Sequence, residues 1–190
     1  MFNTIKTMAV KDADTNSYLM LDDTFASLKR IGIAIFIASL LGLIIGINMG
    51  LSSLFESITV TFITVFSIIP ALALLPILFI TFGVGEAAKM ILIFIGTFPF
   101  ICRDIYLYTK TLPKEQHIKS HTLGANPLEI TYKIVMPQVF PRLLDTTRLS
   151  FGAGWLFLIA GESLAAAEGL GYRIFLVRRY QAMDIIIPYV

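Results

Sequence analysis

The sequence predicts an all-α protein that crosses a membrane several times. Of its 190 residues, 56% are hydrophobic and only 15% are charged, which is more apolar surface than one soluble core of this size needs to bury. Residues 31–55 contain no charged side chain, and residues 57–85 contain none either. Each run exceeds the roughly 20 apolar residues that cross the hydrocarbon core of a bilayer. We therefore expect a polytopic helical bundle.

Two further spans are expected after these. The third covers residues 87–106, with Lys89 near one end, where a long side chain can reach the membrane interface. The fourth covers residues 149–167 and is interrupted by Glu162. After Asp184 the chain turns apolar again and reads Ile-Ile-Ile-Pro-Tyr-Val, which is too short to cross a bilayer. We therefore expect that the last span is truncated in this chain.

The distribution of basic residues predicts the orientation. Lysines and arginines concentrate between the third and fourth spans, and the positive-inside tendency places this loop, residues 107–146, in the cytoplasm. Counting back three spans puts the polar N-terminal segment, residues 1–30, outside, although it also carries basic side chains. Two explanations remain open: either the charge of the loop dominates, or a further span precedes this segment. We favour the missing span.

The cytoplasmic loop has the pattern of two short helices with a sharp joint. Pro113 suits a first helical turn, because its absent N–H would be unpaired there, and Gly124 can take the left-handed conformation that ends a helix. Asn126 then fits the N-cap of a second helix, with Pro127 as its first residue and Glu129 as its third. At that position a carboxylate can accept a hydrogen bond from the N–H of the capping residue.

We expect the second helix to run as far as Pro137, which should end or kink it. Leu128, Tyr132 and Val135 should then lie on one side at helical spacing. Two interpretations are open at this point. The segment is either a solvated helical hairpin or a rigid knob that fits a groove on a partner.

The loop resembles the EAA loop of permease subunits of ATP-binding-cassette importers. The pattern of that loop is Glu-Ala-Ala, three residues, Gly, nine residues, Ile, one residue and Leu-Pro. Here Gly124 is followed after nine residues by Ile134 and then by Met136-Pro137, while Ile118-Lys119-Ser120 stands in place of Glu-Ala-Ala. The resemblance implies a coupling helix that inserts into a cleft of a cytoplasmic ATPase. The coupling residues that it implies are His121, Thr122, Leu123, Gly124, Ala125, Asn126, Pro127, Glu129, Ile134 and Pro137.

Stretches outside the loop resemble the branch of this family that imports nitrate, sulfonates, taurine and related small solutes. These stretches are residues 27–46, 68–89 and 148–174, and the resemblance covers most of the chain. It implies a type I ABC importer permease-like bundle, with a transmembrane permease domain over residues 31–190 that forms the path for a small anionic solute. It also implies a bacterial inner-membrane location, a cytoplasmic ATPase that carries out the hydrolysis, an extracytoplasmic substrate-binding protein and a second permease subunit in a homodimer. The identity of the solute is not decided by the sequence.

Three residues within the predicted spans are candidates for the translocation path or gate. Pro70 and Pro76 each remove a backbone donor from the second span, which produces either a hinge or a static kink. Glu162 is a carboxylate within a span, where a charge usually faces the bundle interior. It either lies near the path or is paired structurally, with Ser163 or a neighbouring backbone group.

Arg173, Arg178 and Arg179 cluster in a region that counting of the spans makes extracytoplasmic. They either attract an anionic solute or an acidic binding protein, or contact lipid headgroups. Glycines recur every four residues in the first span, at Gly42, Gly46 and Gly50, and indicate close helix packing.

Other classes of function fit less well. His117 and His121 share a helix face, but no third histidine or nearby cysteine completes a metal site, and no cofactor or nucleic-acid motif is present. A membrane enzyme would need paired polar groups at one depth, and the sequence shows no obvious partner for Glu162. A non-transporting membrane anchor or scaffold for a cytoplasmic partner is the main alternative. Prolines and a carboxylate within the spans weigh against it.

Overall fold

The computed structural model describes residues 19–165 and 168–178, and every regular element within these ranges is helical. The helical elements up to residue 111 are α1 (Leu19–Leu51), α2 (Ser53–Ile68), a 3-10 turn (Ala71–Leu74), α3 (Leu75–Phe82) and α4 (Glu86–Thr111). The loop and the remainder contain α5 (Lys114–Thr122), α6 (Pro127–Ile130), a π turn (Thr131–Val135), α7 (Met136–Ala165) and α8 (Leu170–Arg178). The all-α prediction is confirmed.

Two of these helices are long and apolar enough to cross a membrane, as judged by length and composition, and they are Met20–Leu51 and Glu86–Thr111. Ser53–Ile68 together with Ala71–Phe82 meets the same criterion as one bent pair, which is either a broken span or a re-entrant loop. The predicted fourth span falls within α7 as far as residue 165. The first three predicted spans therefore correspond to α1, the α2–α3 pair and α4, whereas α7 is not among the described helices that meet this criterion.

The first helix already includes Leu19, well before the uncharged run that starts at Ile31. Asp23, Ser27 and Arg30 lie on one helix face, at i, i+4 and i+7, and all three are at most 3% exposed. Ser27 and Arg30 bond to Glu162, and Asp23 bonds to the N–H of Gly169, so burial does not leave these polar groups unsatisfied. The polar and charged residues ahead of Ile31 therefore do not end the helix. They form a polar face on which the helix packs.

The second predicted span is interrupted at Pro70. Helix α2 ends at Ile68, a 3-10 turn follows from Ala71, and α3 starts at Leu75. Pro76 lies in the first turn of α3, where its missing N–H costs no intrahelical hydrogen bond. The expected loosening of this span is thus a break at Pro70, whereas Pro76 favours the start of the next helix.

The chain divides into two compact units. The first contains Met1–Ala34, Ala71–Ile93 and Gly154–Val190, and the second contains Ile35–Pro70 and Phe94–Ala153. In the first unit, the buried set is unusually polar. It combines apolar side chains such as Ile31, Leu92 and Leu158 with five polar or charged ones, which are Asp23, Ser27, Arg30, Lys89 and Glu162.

In the second unit, α1 packs closely on α4 along its glycine stripe. A Cβ added to Gly46 would lie 2.9 Å from the carbonyl oxygen of Cys102, and one added to Gly50 would lie 2.5 Å from the Cβ of Thr109. The interpretation of this stripe as a packing surface is confirmed. The apolar core of this unit is formed by Ala38, Leu43, Ile47, Ile101, Ile105, Ile130, Val135, Val139 and Leu143.

Candidate functional site

The first half of the candidate coupling site is α5 and the joint that ends it. Gly124 has φ +82°, the left-handed conformation that the sequence predicted there. Its N–H donates to the carbonyl of His121 at 3.0 Å, and the N–H of Ala125 donates to the carbonyl of Ser120 at 3.0 Å. These bonds satisfy carbonyls at the end of α5, so the joint is a defined turn and not a loose connection.

The second half begins at Asn126 with the predicted cap. The N–H of Asn126 donates to Glu129 Oε2 at 3.1 Å, and Pro127 occupies the first turn of α6. Glu129 Oε1 also accepts from Lys133 Nζ at 2.9 Å. The hydrogen bond from Lys133, followed by that from the Asn126 N–H, lowers the pKa of Glu129 below its ordinary value. Glu129 is therefore ionised at neutral pH, where it stabilises the start of the helix.

Of the two effects predicted at Pro137, an end or a kink of the helix, the end does not occur. The π turn at Thr131–Val135 precedes it, with the N–H of Met136 donating to the carbonyl of Thr131, and the chain continues without a break into α7. In a regular α-helix the proline ring clashes with the carbonyl four residues earlier. The wider π turn before Pro137 alters the spacing of these groups, and the helix continues.

The π turn also changes which residues face the core. Val135 and Val139 are fully buried and Ile130 is 3% exposed, whereas Leu128 is 71% exposed and Tyr132 is 63% exposed. The prediction that Leu128, Tyr132 and Val135 share one side is therefore wrong. One additional residue per turn shifts the register, so that side chains five residues apart, Ile130 and Val135, both reach the core.

The loop presents an exposed apolar surface, which we call the coupling patch and define as Ile118, Leu123, Leu128 and Tyr132. Leu123 at the joint is 86% exposed and Ile118 is 63% exposed. Large apolar side chains of this exposure within one short segment are typical of a surface that contacts another protein. Of the predicted coupling residues, Ala125 and Ile134 pack against the core of the second unit, and His121, Thr122, Leu123, Gly124, Asn126, Pro127 and Pro137 are exposed.

A cavity of about 770 Å³ lies between this loop and the ends of α1 and α4. His117 and His121 both line it, together with Lys110, and the two histidines thus share one face of α5 as their i, i+4 spacing predicted. Lys110 is paired with Glu56, which also accepts a hydrogen bond from Tyr106. Among residues 19–165 and 168–178, no three His, Cys, Asp or Glu side chains are grouped in a way that could hold a metal ion.

Glu162 lies in the first unit and is fully buried. Its carboxylate accepts from Arg30 Nη1 at 2.7 Å, from Ser27 Oγ at 2.8 Å and from the N–H of Gly171 at 2.9 Å. The pairing with Ser163 that the sequence left open is wrong, because the Ser163 hydroxyl donates instead to the carbonyl of Ala160. Its two side-chain partners, Ser27 and Arg30, come from α1, which is distant in the sequence.

Arg30 connects Glu162 with two further carboxylates. Its side chain is 4% exposed and forms a two-pronged ion pair with Glu86, which also pairs with Lys89 at 2.8 Å. Glu168 Oε1 lies 3.7 Å from Arg30 Nη2. Sequence reasoning placed Arg30 in the polar N-terminal segment and assigned it no role. The available signal was the i, i+4, i+7 spacing of Asp23, Ser27 and Arg30 ahead of an apolar helix.

Of the three arginines predicted to attract an anion, two lie within the described residues. Arg173 Nε donates to Asp23 Oδ2 at 2.7 Å, so this cation is held in an ion pair. Arg178 is exposed, and its guanidinium lies 5.6 Å from the ring centroid of Phe175. Arg179 and the apolar C-terminal stretch lie outside the described residues.

Comparisons with known proteins identify relatives over most of the chain. Residues 38–190 match the family model described as binding-protein-dependent transport system inner membrane component. The chain is 33% identical over 162 residues to the taurine transport system permease protein TauC of Escherichia coli K12, which covers 85% of this chain and 59% of TauC. It is 32% identical over 169 residues to the putative ABC transporter permease protein MJ0413 of Methanocaldococcus jannaschii, which covers 88% of this chain and 63% of that protein.

Two further similarities define the branch and the fold. The nitrate import permease protein NrtB of Leptolyngbya laminosa is 26% identical over 150 residues, which is 79% of this chain and 54% of NrtB. A solved structure of the MetNI methionine ABC transporter in an inward-facing conformation superposes with a TM-score of 0.75 at 18% identity, over 90% of this chain and 86% of the solved one. The chain thus spans about three fifths of TauC and MJ0413, and the predicted type I ABC importer permease fold is confirmed.

Proposed function

Because this chain belongs to the family of binding-protein-dependent transport system inner membrane components, we propose that it is the membrane-embedded permease subunit of an ATP-driven importer. It contributes the path for a small anionic solute, which a binding protein delivers from outside. The solute class follows from the relatives named for taurine, nitrate and aliphatic sulfonates. We place the chain in a bacterial inner membrane, in a homodimer with a second copy.

The observation that carries this proposal is the coupling patch at the joint of a capped turn. Leu123 and Leu128 flank Gly124 and Asn126, whose hydrogen bonds fix the angle of the joint, and both leucines are exposed. A cytoplasmic ATPase that covers this surface gains the burial of four large apolar side chains. Because hydrogen bonds hold the backbone of the joint, a movement of the ATPase displaces the joint as a unit and does not deform it.

The helical continuity from α6 into α7 gives the displacement a route. Pro127 at the start of α6 and Ala165 at the end of α7 belong to one helical stretch that the π turn widens but does not interrupt. We propose that closure of the ATPase pushes the loop, tilts this stretch and alternates the access of the path. The chain supplies docking and movement, and the ATPase supplies the hydrolysis.

The remaining candidate residues have distinct roles in this proposal. Pro70 breaks the α2–α3 pair and is the proposed hinge beside the path, with Pro76 as the start of its second arm. Arg178 and Arg179 attract the anionic solute or acidic groups on the binding protein. Glu162 has all of its acceptors occupied by protein donors, so we propose that it supports the gate region without contacting the solute.

The decisive experiment replaces the two leucines of the joint. Leu123→Asp with Leu128→Asp places charge on the coupling patch, whereas Leu123→Met with Leu128→Met keeps it apolar. We expect the Asp pair to abolish co-purification with the ATPase and the uptake of labelled taurine, nitrate and a short alkanesulfonate, while the Met pair retains both. Equal behaviour of the two pairs would contradict coupling through this patch.

The alternative function, a non-transporting anchor, is separated by the same preparation. An anchor holds its cytoplasmic partner through the loop but shows no ATP-dependent uptake in proteoliposomes. A permease shows uptake that depends on both ATP and the binding protein. Charge reversal of Arg178 and Arg179 together should then reduce uptake without affecting assembly.

A further inference from the structure

The turn between α7 and α8 is held by side chains from α1. The carbonyl of Glu168 accepts from Arg30 Nη1 at 3.0 Å, and the N–H of Leu170 donates to Ser27 Oγ at 3.0 Å. In the same way, Asp23 Oδ1 accepts from the N–H of Gly169 at 2.9 Å. Four consecutive residues of the turn therefore bond to side chains, because the N–H of Gly171 donates to Glu162. We call the four side chains the turn clamp: Asp23, Ser27, Arg30 and Glu162.

The turn comes so close to the clamp that it requires glycine. Gly169 has φ +123°, and a Cβ there would lie 2.6 Å from Glu162 Cδ and 2.7 Å from Arg30 Nη1. A Cβ on Gly171 would lie 2.9 Å from the Cβ of Glu162. Gly169 and Gly171 thus leave room for an ion pair whose two members, Arg30 and Glu162, are themselves 132 residues apart in the sequence.

The polar groups of the turn clamp are buried and all have hydrogen-bond partners. Glu162 has no solvent exposure and the Arg30 side chain has 4%, so separating them would leave opposite charges buried without water. Asp23, which is 1% exposed, binds both the turn and Arg173 of α8. Within the described residues, every buried side-chain nitrogen or oxygen has a hydrogen-bond partner. An element that opens in every cycle would need replacement partners for these groups.

We propose that the turn clamp positions α8 on the N-terminal part of α1, and that it stays closed throughout the transport cycle. These two segments and the end of α7 then move as one body, and Arg178 on α8 is carried with them. The inference rests on the proposed function, since transport is its setting. It assigns Arg30 and Glu162 as positioning residues for α8. On this proposal the two side chains do not separate and pair again as a gate would.

A disulfide across the clamp tests whether it stays closed. Ser27→Cys with Leu170→Cys places one cysteine on each side of the contact in which the N–H of Leu170 donates to Ser27 Oγ at 3.0 Å, and Cys102 can remain because it is fully buried. The complex with its ATPase and binding protein is oxidised with copper phenanthroline or reduced, and the uptake of labelled taurine, nitrate and a short alkanesulfonate is compared. The two single variants are the controls.

We expect the cross-link to form and the oxidised protein to transport within about twofold of the reduced protein. A loss of uptake greater than this, reversed by reduction, would show that the clamp has to open and would overturn the proposal. Failure of the cross-link to form would contradict the position of the turn.

Hydrogen exchange of the permease in detergent tests the clamp without any transport. Ser27→Ala removes the acceptor of the Leu170 N–H and leaves the Arg30–Glu162 pair in place, so exchange at the turn should rise at least tenfold. The matched control is Ser39→Ala, because the Ser39 hydroxyl is also buried and bonds Thr147 at 2.9 Å in the other unit. Ser39→Ala should leave hydrogen exchange at the turn unchanged.

Unchanged exchange at the turn in Ser27→Ala, or an equal rise throughout the protein, would refute a local positioning role. If none of the three probes is taken up by the unmodified complex, the proposed function fails. The exchange measurement still decides whether the clamp holds the turn.

Discussion

Replacing Arg30 measures the free energy that is lost when the buried carboxylate of Glu162 has no ion-pair partner. In Arg30→Met the carboxylate keeps Ser27 and the Gly171 N–H but loses its ion-pair partner in a site with no solvent exposure. Breaking a buried pair in this way costs about 3–5 kcal/mol, because one charge remains without compensation. At about 2–4 °C per kcal/mol for a chain of this size, the midpoint of thermal unfolding should fall by roughly 6–20 °C.

The double variant Arg30→Met with Glu162→Gln removes both charges. We expect it to be less destabilised than the sum of the two single variants, with a coupling energy of about 1–3 kcal/mol in the double-mutant cycle. Arg142→Met is the matched control, because Arg142 pairs with Asp104 at 2.6 Å but its side chain is 44% exposed. Solvent screening limits its contribution to about 0–1 kcal/mol.

The assay is unfolding of the purified protein in detergent, followed by the fluorescence of Trp155, whose signal reports on α7. An Arg30→Met protein as stable as Arg142→Met would refute the reasoning. So would a double variant whose destabilisation equals the sum of its parts, because Arg30 and Glu162 would then act independently.

Three other predictions concern single positions. Gly50→Ala should destabilise the protein by about 1–3 kcal/mol, because its Cβ would overlap Thr109, whereas Gly32→Ala, with nothing within 4 Å of its Cβ, should be nearly neutral in the same unfolding assay. Gly124→Val should strain the left-handed joint by about 1–3 kcal/mol and reduce ATPase stimulation by the solute-loaded binding protein more than it reduces expression; equal stimulation would contradict a rigid joint. Because the pKa of Glu129 is lowered in the folded protein, the carboxylate stabilises the loop fully above its ordinary pKa of 4.5, and this stabilisation is lost as the pH falls through the lower folded pKa. Acid should therefore increase hydrogen exchange in α6, and Glu129→Gln should remove that pH dependence.

The caps of the loop were predictable because they depend on neighbouring residues. Gly124, Asn126 and Glu129 act within four positions of their partners, so local spacing is enough to locate the joint and the start of α6. The continuation through Pro137 was not predictable in this way. A π turn changes the register by one residue, and whether it forms depends on which side chains the core accepts, here Ile130 and Val135.

The sequence by itself determined the all-helical class, the apolar helices and the position of the joint at Gly124, since hydropathy over about 20 residues and helix caps are properties of short stretches of chain. Only the tertiary structure decided the partners of Glu162 and the role of Arg30. These residues are separated by more than 130 positions, and no local pattern specifies which buried carboxylate a distant guanidinium will reach. The contribution of such an ion pair to stability depends on both charged groups being removed from water, and that occurs only when the helices have packed.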